Sequence, residues 1–379
     1  MEFCDIRPTD RVMVLAPHPD DESLATAGVL QRARAIGART RVLFVTDGEN
    51  NPWAQRAVER RWRISPADRL RWGSRRRAEA VSALSCLGLE AECARFLGYP
   101  DQGLFDLLMT EPEPLIKDLV QELTGFEPSI LIEPDPADRH PDHAALGVLA
   151  TFALARASLD GLEPIRLRYL VHDARRFPSH SAQIALRLSE SERERKRRAI
   201  LTHRTQLLLR RRALVRFAAT REAFFPVDAS RIRETGHSIR TCRIRRGRLL
   251  LTLEKARWPI LGPRNIAIAI QTDRGAMERW RVDVPAGAGP VSIWRASTQD
   301  RVAQGFCHVL RTGIQFVLPL TPSLRPEAIY VKVDCPSLRR LGVFDPVGWR
   351  AVPVSARSST TLGSPLARRL HAVSTSDGE

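Results

Sequence analysis

At 379 residues, with 43% apolar and 27% charged residues, 26 prolines and 22 glycines, the chain is long enough for two hydrophobic cores and too mixed to be fibrous or low-complexity. Lysine and arginine outnumber aspartate and glutamate by 59 to 43, a formal charge of +16 that suits an anionic partner without choosing one. Residues 1–10 lack the basic-then-apolar pattern of a secretory leader, no run approaches the roughly 18 apolar residues that span a bilayer, and the six cysteines show no metal-ligand spacing, so a cytoplasmic chain with reduced thiols is expected.

The first ~225 residues alternate apolar strands with helical patterns, which predicts a Rossmann-like α/β fold: a mostly parallel sheet flanked by helices. Residues 12–16 and 42–46 read as buried strands. Between them Leu24, Ala27, Leu30, Ala33 and Ile36 recur at helical spacing, with Gly37 as the stop. A helix over 74–87, a strand over 95–97, a helix over 114–123, a strand over 130–133 and a helix over 144–157 follow, and 168–171 is expected to be the last strand of this sheet. Residues 189–217 form one long basic helical pattern, with Arg193, Arg195, Lys196, Arg197 and Arg198 early and Arg210, Arg211 and Arg212 late.

After Pro226 the texture changes to short alternating runs over 249–253, 266–270, 314–318 and 329–333, which predicts a smaller β-rich, sandwich-like domain over 226–354. The tail, 355–379, is rich in Ser, Thr and Arg and is expected to be disordered. The first domain is assigned to 1–225.

The chemistry concentrates in two loops. Pro17-His18-Pro19-Asp20-Asp21-Glu22 follows the first strand, and Asp138-Arg139-His140-Pro141-Asp142-His143 follows the strand over 130–133. In an open α/β sheet both loops face the crevice at the carboxyl ends of the strands, where ligands bind. His18 and a nearby carboxylate can converge on one cation. One more imidazole from the second loop completes a set of two His and one Asp with a position left for water, the arrangement of catalytic rather than structural zinc. Two acidic, proline-bearing, histidine-containing loops at strand ends have no packing purpose of their own.

In these residues the sequence resembles the PIG-L/LmbE-like N-deacetylases over about residues 11–206. His18-Pro19-Asp20-Asp21-Glu22 matches the family's opening motif and His140-Pro141-Asp142-His143 its later one. Thr46-Asp47-Gly48-Glu49, Arg76 with Glu79 ahead of Leu87-Gly88, Leu97-Gly98-Tyr99-Pro100-Asp101 and His203-Arg204-Thr205-Gln206 are weaker matches. The resemblance implies a metal-dependent hydrolase that removes an acetyl group from an amino sugar such as an N-acetylglucosamine-containing glycan or glycolipid. It implies His18, Asp21 and His143 as ligands of zinc, with iron or cobalt as alternatives, and Asp20 as general base. His140 is then the acid or oxyanion partner, with Asp142 orienting its ring, and Arg76 and Asp101 contact sugar hydroxyls. Asp47, at a strand end, joins them as a substrate-binding candidate. Some relatives carry a tyrosine where this chain has Asp138, so the oxyanion set is smaller here or is completed by another residue, for which His172 is the candidate.

Other readings compete. A larger acyl group or a thiol-sugar conjugate is the alternative substrate, with Trp53 and Trp62 shaping the pocket. The basic helix motivates nucleic-acid binding, although no zinc-finger or RNA-recognition pattern is present and no specific nucleic acid is expected. Trp258, Trp280 and Trp294 motivate sugar stacking by the β-rich part. The positive charge suits an acidic or lipid-linked amino sugar and peripheral contact with a membrane face. The sequence sets no oligomeric state.

Overall fold

The structure is a computed structural model, and it describes residues 5–172, 184–227, 237–254, 264–273, 275–321, 323–336, 344–345 and 348–354. The expected tail, 355–379, and Trp258 lie outside the described residues.

The parallel sheet is built on β1 (Arg11–Ala16), whose Val12 to Ala16 are entirely buried. Such a strand is covered on both faces and needs no polar alternation, which is why it reads as an unbroken apolar run. Val12, Val14 and Ala16 pack toward α1 (Asp21–Ala25), α2 (Ala27–Ala35) and α4 (Pro66–Cys86), while Met13 and Leu15 pack toward α5 (Leu104–Thr110), α6 (Glu113–Phe126) and α7 (Pro141–Ala157). β1 pairs in parallel with β2 (Arg39–Thr46) on one side and β4 (Ile130–Pro134) on the other. With β3 (Ala94–Tyr99), β5 (Ile165–Tyr169), β6 (Ile184–Arg187) and β7 (Arg221–Pro226), the order is β3-β2-β1-β4-β5-β7-β6. Chain order reverses between β1 and β4, so a crevice opens at their carboxyl ends.

Several expected elements shift. The fifth strand ends at Tyr169 rather than reaching 171, and it is not the last: β7 and β6 extend the sheet, both antiparallel to their neighbours. The expected helix over 74–87 begins at Pro66, where Ser65 and Asp68 form a reciprocal capping box. The long basic pattern is two helices, α8 (Glu190–Thr202) and α9 (Arg204–Val215), because His203 leaves helical geometry at φ −75, ψ 58. Its buried ring is drawn to Glu22, a contact 181 positions away in sequence.

The β-rich part runs β8 (Ile239–Arg245), β9 (Arg248–Glu254), β10 (Asn265–Thr272), β11 (Met277–Asp283), β12 (Gly289–Arg295), β13 (Arg301–Val309), β14 (Gly313–Pro319), β15 (Pro326–Asp334) and β16 (Arg350–Ala351). They form one antiparallel sheet, ordered β16-β15-β10-β11-β12-β13-β14-β9-β8. It folds over on itself so that its inner faces oppose as in a sandwich: side chains from β8 through β15 share one core, and the Arg350 guanidinium donates across to the carbonyls of Ile239 and Arg240. Trp280 is 1% exposed and fills that core, which removes it from sugar stacking.

The two sheets also share a core. On β10, Ile266, Ile268 and Ile270 face inward, while Ala267 and Ala269 join Phe152 of α7 and Phe105 of α5. The alanines let the strand lie close over the helices, and Gln271 donates to the Phe152 carbonyl at 3.1 Å. No helix among the described residues is long and apolar enough to cross a membrane.

His237 ties the ends of the rolled sheet to this contact. Its Nδ1 accepts from the Ile239 N–H at 3.0 Å, so Nε2 carries the hydrogen and donates to the Gly348 carbonyl at 3.1 Å. Burial, aided by the charges of Arg350 and Lys332, pushes the imidazole down to about 4. A depressed folded value means stability that is full above the unfolded value of about 6.5 and is lost as the pH falls through 4, on the order of 3 kcal/mol in all. Thermal melts between pH 7 and pH 4 are expected to fall less steeply for His237→Gln than for the wild type; parallel slopes would exclude this group as the cause.

Candidate active site

The first loop leaves β1 at Ala16 and is pinned at once: Pro17 offers its carbonyl to the Thr46 N–H at 3.0 Å and to its hydroxyl at 2.8 Å, joining the ends of β1 and β2. The His18 N–H donates to Asp21 Oδ2 at 3.0 Å, closing the turn around Pro19. Asp20 takes φ 142 and ψ −25, a region that costs a non-glycine residue about 1–3 kcal/mol. Its N–H is held by Glu22 Oε2 at 2.9 Å, and Glu22 Oε1 meets the Ser23 hydroxyl at 2.7 Å and His203 Nε2 at 3.1 Å. Glu22 thus braces the turn.

The second loop is organised by Asp138. This buried carboxylate accepts from the N–H groups of His140, Val171 and His172 at 2.9, 3.0 and 3.2 Å, and its Oδ2 lies 3.5 Å from His143 Nδ1. His140 caps α7: its Nδ1 accepts from the Asp142 N–H at 3.2 Å, so Nε2 carries the hydrogen on a neutral ring. Pro141 starts the helix, where its missing N–H costs nothing.

The loops meet at Asp21. Its Oδ2 lies 3.3 Å from His18 Nδ1 and 3.2 Å from His143 Nε2, so both imidazoles converge on one carboxylate. The other nitrogen of His18, Nε2, sits 3.1 Å from Asp101 Oδ1 and 3.2 Å from Asp142 Oδ2. The rings of His18, His140 and His143 cluster with centroids 4.7–5.2 Å apart, and His172 lies 4.7 Å from His143.

Burial sets the charges. It works to lower His18 and His143, but the carboxylates win: Asp101 leads in raising His18 well above its usual range, and Asp21 and Asp138 raise His143 to about 9. Burial lifts Asp20 to about 6 against the pull of Arg76. His140 falls well below its usual range through burial and the neighbouring charges of His18 and His143, and burial takes His172 down to about 3.

Asp20, Asp21, His18, Asp101, His140 and His172 line a cavity of about 710 Å³, also bordered by Arg76, Trp53, Leu209 and Phe344. Some expected contacts are already committed within the protein. Arg76 donates to the carbonyls of Gly48 at 2.8 Å and Pro19 at 2.6 Å, and lies 3.4 Å from Asp20. It locks the two strand-end loops together beneath the general-base candidate. Gly48 permits this, because a Cβ there would sit 1.7 Å from the guanidinium. Asp47 is paired bidentately with Arg77 at 2.6 Å and lies outside the cavity lining. Asp101 faces His18, with its other oxygen on the Asn50 N–H. Asp142 meets His140 through its backbone N–H; its carboxylate faces His18 and accepts from the N–H groups of Gln102 and Leu104.

Sequence reasoning missed two contributors. Asp138 counted as one acid of the second loop and as the place of a tyrosine but was given no role of its own, although an acid two places before a histidine is a usable signal for a residue that organises a loop. Phe344 had no signal: it arrives from the β-rich part, with its ring 5.2 Å from His140 and 4.6 Å from His172.

The donor set fits a divalent cation. Three groups, His18 with His140 and His143, Asp21 with His143 and His172, and His18 with Asp101 and Asp142, each bring ligand atoms within 4.8 Å of one another. Both nitrogens of His143 are buried beside carboxylates yet lack hydrogen-bond geometry, as suits a nitrogen placed for a metal.

The site is thus a buried His/Asp cluster at the topological switch point of a Rossmann-like sheet. Residues 13–154 match the family described as PIG-L, GlcNAc-PI de-N-acetylase. The chain is 32% identical over 169 residues to the 1D-myo-inositol 2-acetamido-2-deoxy-alpha-D-glucopyranoside deacetylase of Mycobacteroides abscessus, covering 40% of this chain and 57% of that protein. It is 30% identical over 199 residues to the enzyme of the same name from Nocardia farcinica, covering 47% and 63%. The chain thus spans about three-fifths of the length of these curated relatives. Among solved structures, the N,N'-diacetylchitobiose deacetylase of Pyrococcus horikoshii aligns at 21% identity and a TM-score of 0.44, over 57% of this chain and 83% of that one.

The backbone at Asp20 yields a test free of side-chain chemistry. Asp20→Gly and Asp20→Ala lose the same carboxylate, but only glycine relaxes at positive φ. Asp20→Gly is expected to be more stable than Asp20→Ala by about 1–2 kcal/mol in denaturant unfolding. Equal stabilities would show that the turn carries no strain.

Proposed function

We propose that this chain is a divalent-metal-dependent hydrolase that removes the acetyl group from the nitrogen of an amino sugar, an N-acetylglucosamine-containing glycoconjugate. The observation that carries this reading is the convergence of His18 and His143 on Asp21, with Asp20 beside them on the cavity wall. The relatives named as deacetylases of an acetamido sugar support the substrate class.

His18, Asp21 and His143 would hold the cation; two imidazoles and a carboxylate suit zinc, and iron or cobalt equally. When bound, it supplies a Lewis acid and water acidified toward neutral pH. Asp20 is the general base. Its carboxyl, held by burial near the middle of the pH scale, takes a proton from the water that attacks the amide carbon and passes it to the departing nitrogen. Arg76, beside it at 3.4 Å, keeps the carboxylate accessible by offsetting that burial. His140 is neutral and carries its hydrogen on Nε2, so it can donate to the oxygen that gains charge as the carbonyl becomes tetrahedral. His172 stands against the same ring and is the candidate that completes this wall, since the chain has Asp138 where some relatives carry a tyrosine. Asp101 and Asp142 hold the far side of His18, which fixes the nitrogen that faces Asp21.

Amine release from a panel of N-acetylglucosamine derivatives tests the reading. Asp20→Asn is expected to lower kcat by about 10²–10⁴-fold with an unchanged melting curve. His143→Ala is expected to lose stoichiometric metal as well as activity. Turnover retained in Asp20→Asn would discard the base assignment, and full metal content in His143→Ala would discard the ligand assignment.

A further inference from the structure

Ten large apolar side chains are exposed among the described residues, and five of them gather on a few neighbouring elements around the cavity. Trp53 lies on α3 (Pro52–Glu59), Trp62 between α3 and α4, Leu70 on α4, and Leu208 and Leu209 on α9. α3 packs against α9, and the side-chain amide of Asn51 donates to Gln206 Oε1 at 3.0 Å. Trp53 and Leu209 belong to the cavity lining itself, so the apolar collar is continuous with its mouth.

The collar is also strongly basic. Its acids are taken: Glu59 pairs with Arg71, and Asp68 with Arg61 and Arg71. Arg60, Arg63, Arg69, Arg210, Arg211 and Arg212 have no carboxylate partner among the described residues. Arg56 lies over the indoles of both Trp53 and Trp62, 5.2 and 5.0 Å from their centroids, and donates to the Trp62 carbonyl at 2.9 Å. It holds two aromatic rings outward beside cationic side chains. α9 sets Leu207-Leu208-Leu209 directly before Arg210-Arg211-Arg212.

We propose that this collar docks on an anionic membrane surface, with the mouth of the cavity turned toward the lipid. Indoles and leucines enter the boundary between headgroups and chains while guanidinium groups reach acidic phosphates. Nucleic acid accounts for the arginines and could stack on the indoles, but it leaves Leu70, Leu208 and Leu209 in water. The inference goes beyond the deacetylase reading and stands independently of it.

Flotation of the full chain with vesicles of phosphatidylcholine alone or mixed with phosphatidylglycerol tests it. The protein is expected to float with the acidic vesicles and to remain behind with the neutral ones. The combined variant Leu70→Ser, Leu208→Ser, Arg211→Glu, Arg212→Glu changes no residue that lines the cavity. It is expected to bind acidic vesicles at least tenfold more weakly, with an unchanged melting curve and unchanged turnover of a short soluble N-acetylglucosamine derivative. Equal recovery with both vesicle types, or undiminished binding by the variant, overturns the proposal. So does a DNA duplex that displaces the protein from acidic vesicles at matched charge. Loss of turnover in the wild type as well would count against the deacetylase reading alone and leave the vesicle result intact.

Discussion

The site rests on acids and imidazoles that have left water together. An isolated carboxylate or imidazolium in such a place would cost several kcal/mol; here each is shared. Asp21 serves His18 and His143, Asp138 serves His143 and three backbone N–H groups, and His18 is divided among three carboxylates. No member can be moved without leaving a neighbour uncompensated, which is why the cluster recruits a strained turn at Asp20 and a helix break at His203. Those local costs are repaid by the electrostatics they complete.

Much of this was legible in the sequence. The central strands are buried on both faces and so appear as unbroken apolar runs, and their loops announce themselves because two acidic, histidine-bearing runs at strand ends exceed what packing requires. The change of texture after Pro226 marks strands whose alternation is visible one residue at a time. What escaped notice depends on distant contacts. α8 and α9 share one helical composition, and only the reach of His203 to Glu22 divides them. Short edge strands such as Ile184–Arg187 carry too few residues for a period to register. Asp47 looks like a sugar ligand in one dimension, because nothing local says that Arg77 will claim it first, and nothing local says that Arg76, which does line the cavity, will also tie Pro19 to Gly48.

The same distinction separates the donors from their supports. Residue type and spacing pick out the two loops, since few other side chains serve that chemistry, and the family resemblance singles out His18, Asp21 and His143 within them. The supporting groups are ordinary carboxylates and backbone amides whose importance comes from position: Asp101 follows β3, and Asp138 precedes a helix N-terminus. A sequence reveals the chemistry of a site more readily than its rigidity.

The β-rich part presses on the second loop at close range. Trp349 donates its N–H to the Pro136 carbonyl at 2.6 Å, Asp345 exchanges bonds with Arg139, and a Cβ on Gly348 would meet Pro136 O at 2.3 Å. The loop bearing His140 is therefore moulded by chain made about 200 residues later. A fragment ending at Pro226 would contain each proposed metal ligand and still lack one wall of its own cavity. On the ribosome, the order of synthesis makes that pocket the last part of the α/β unit to close.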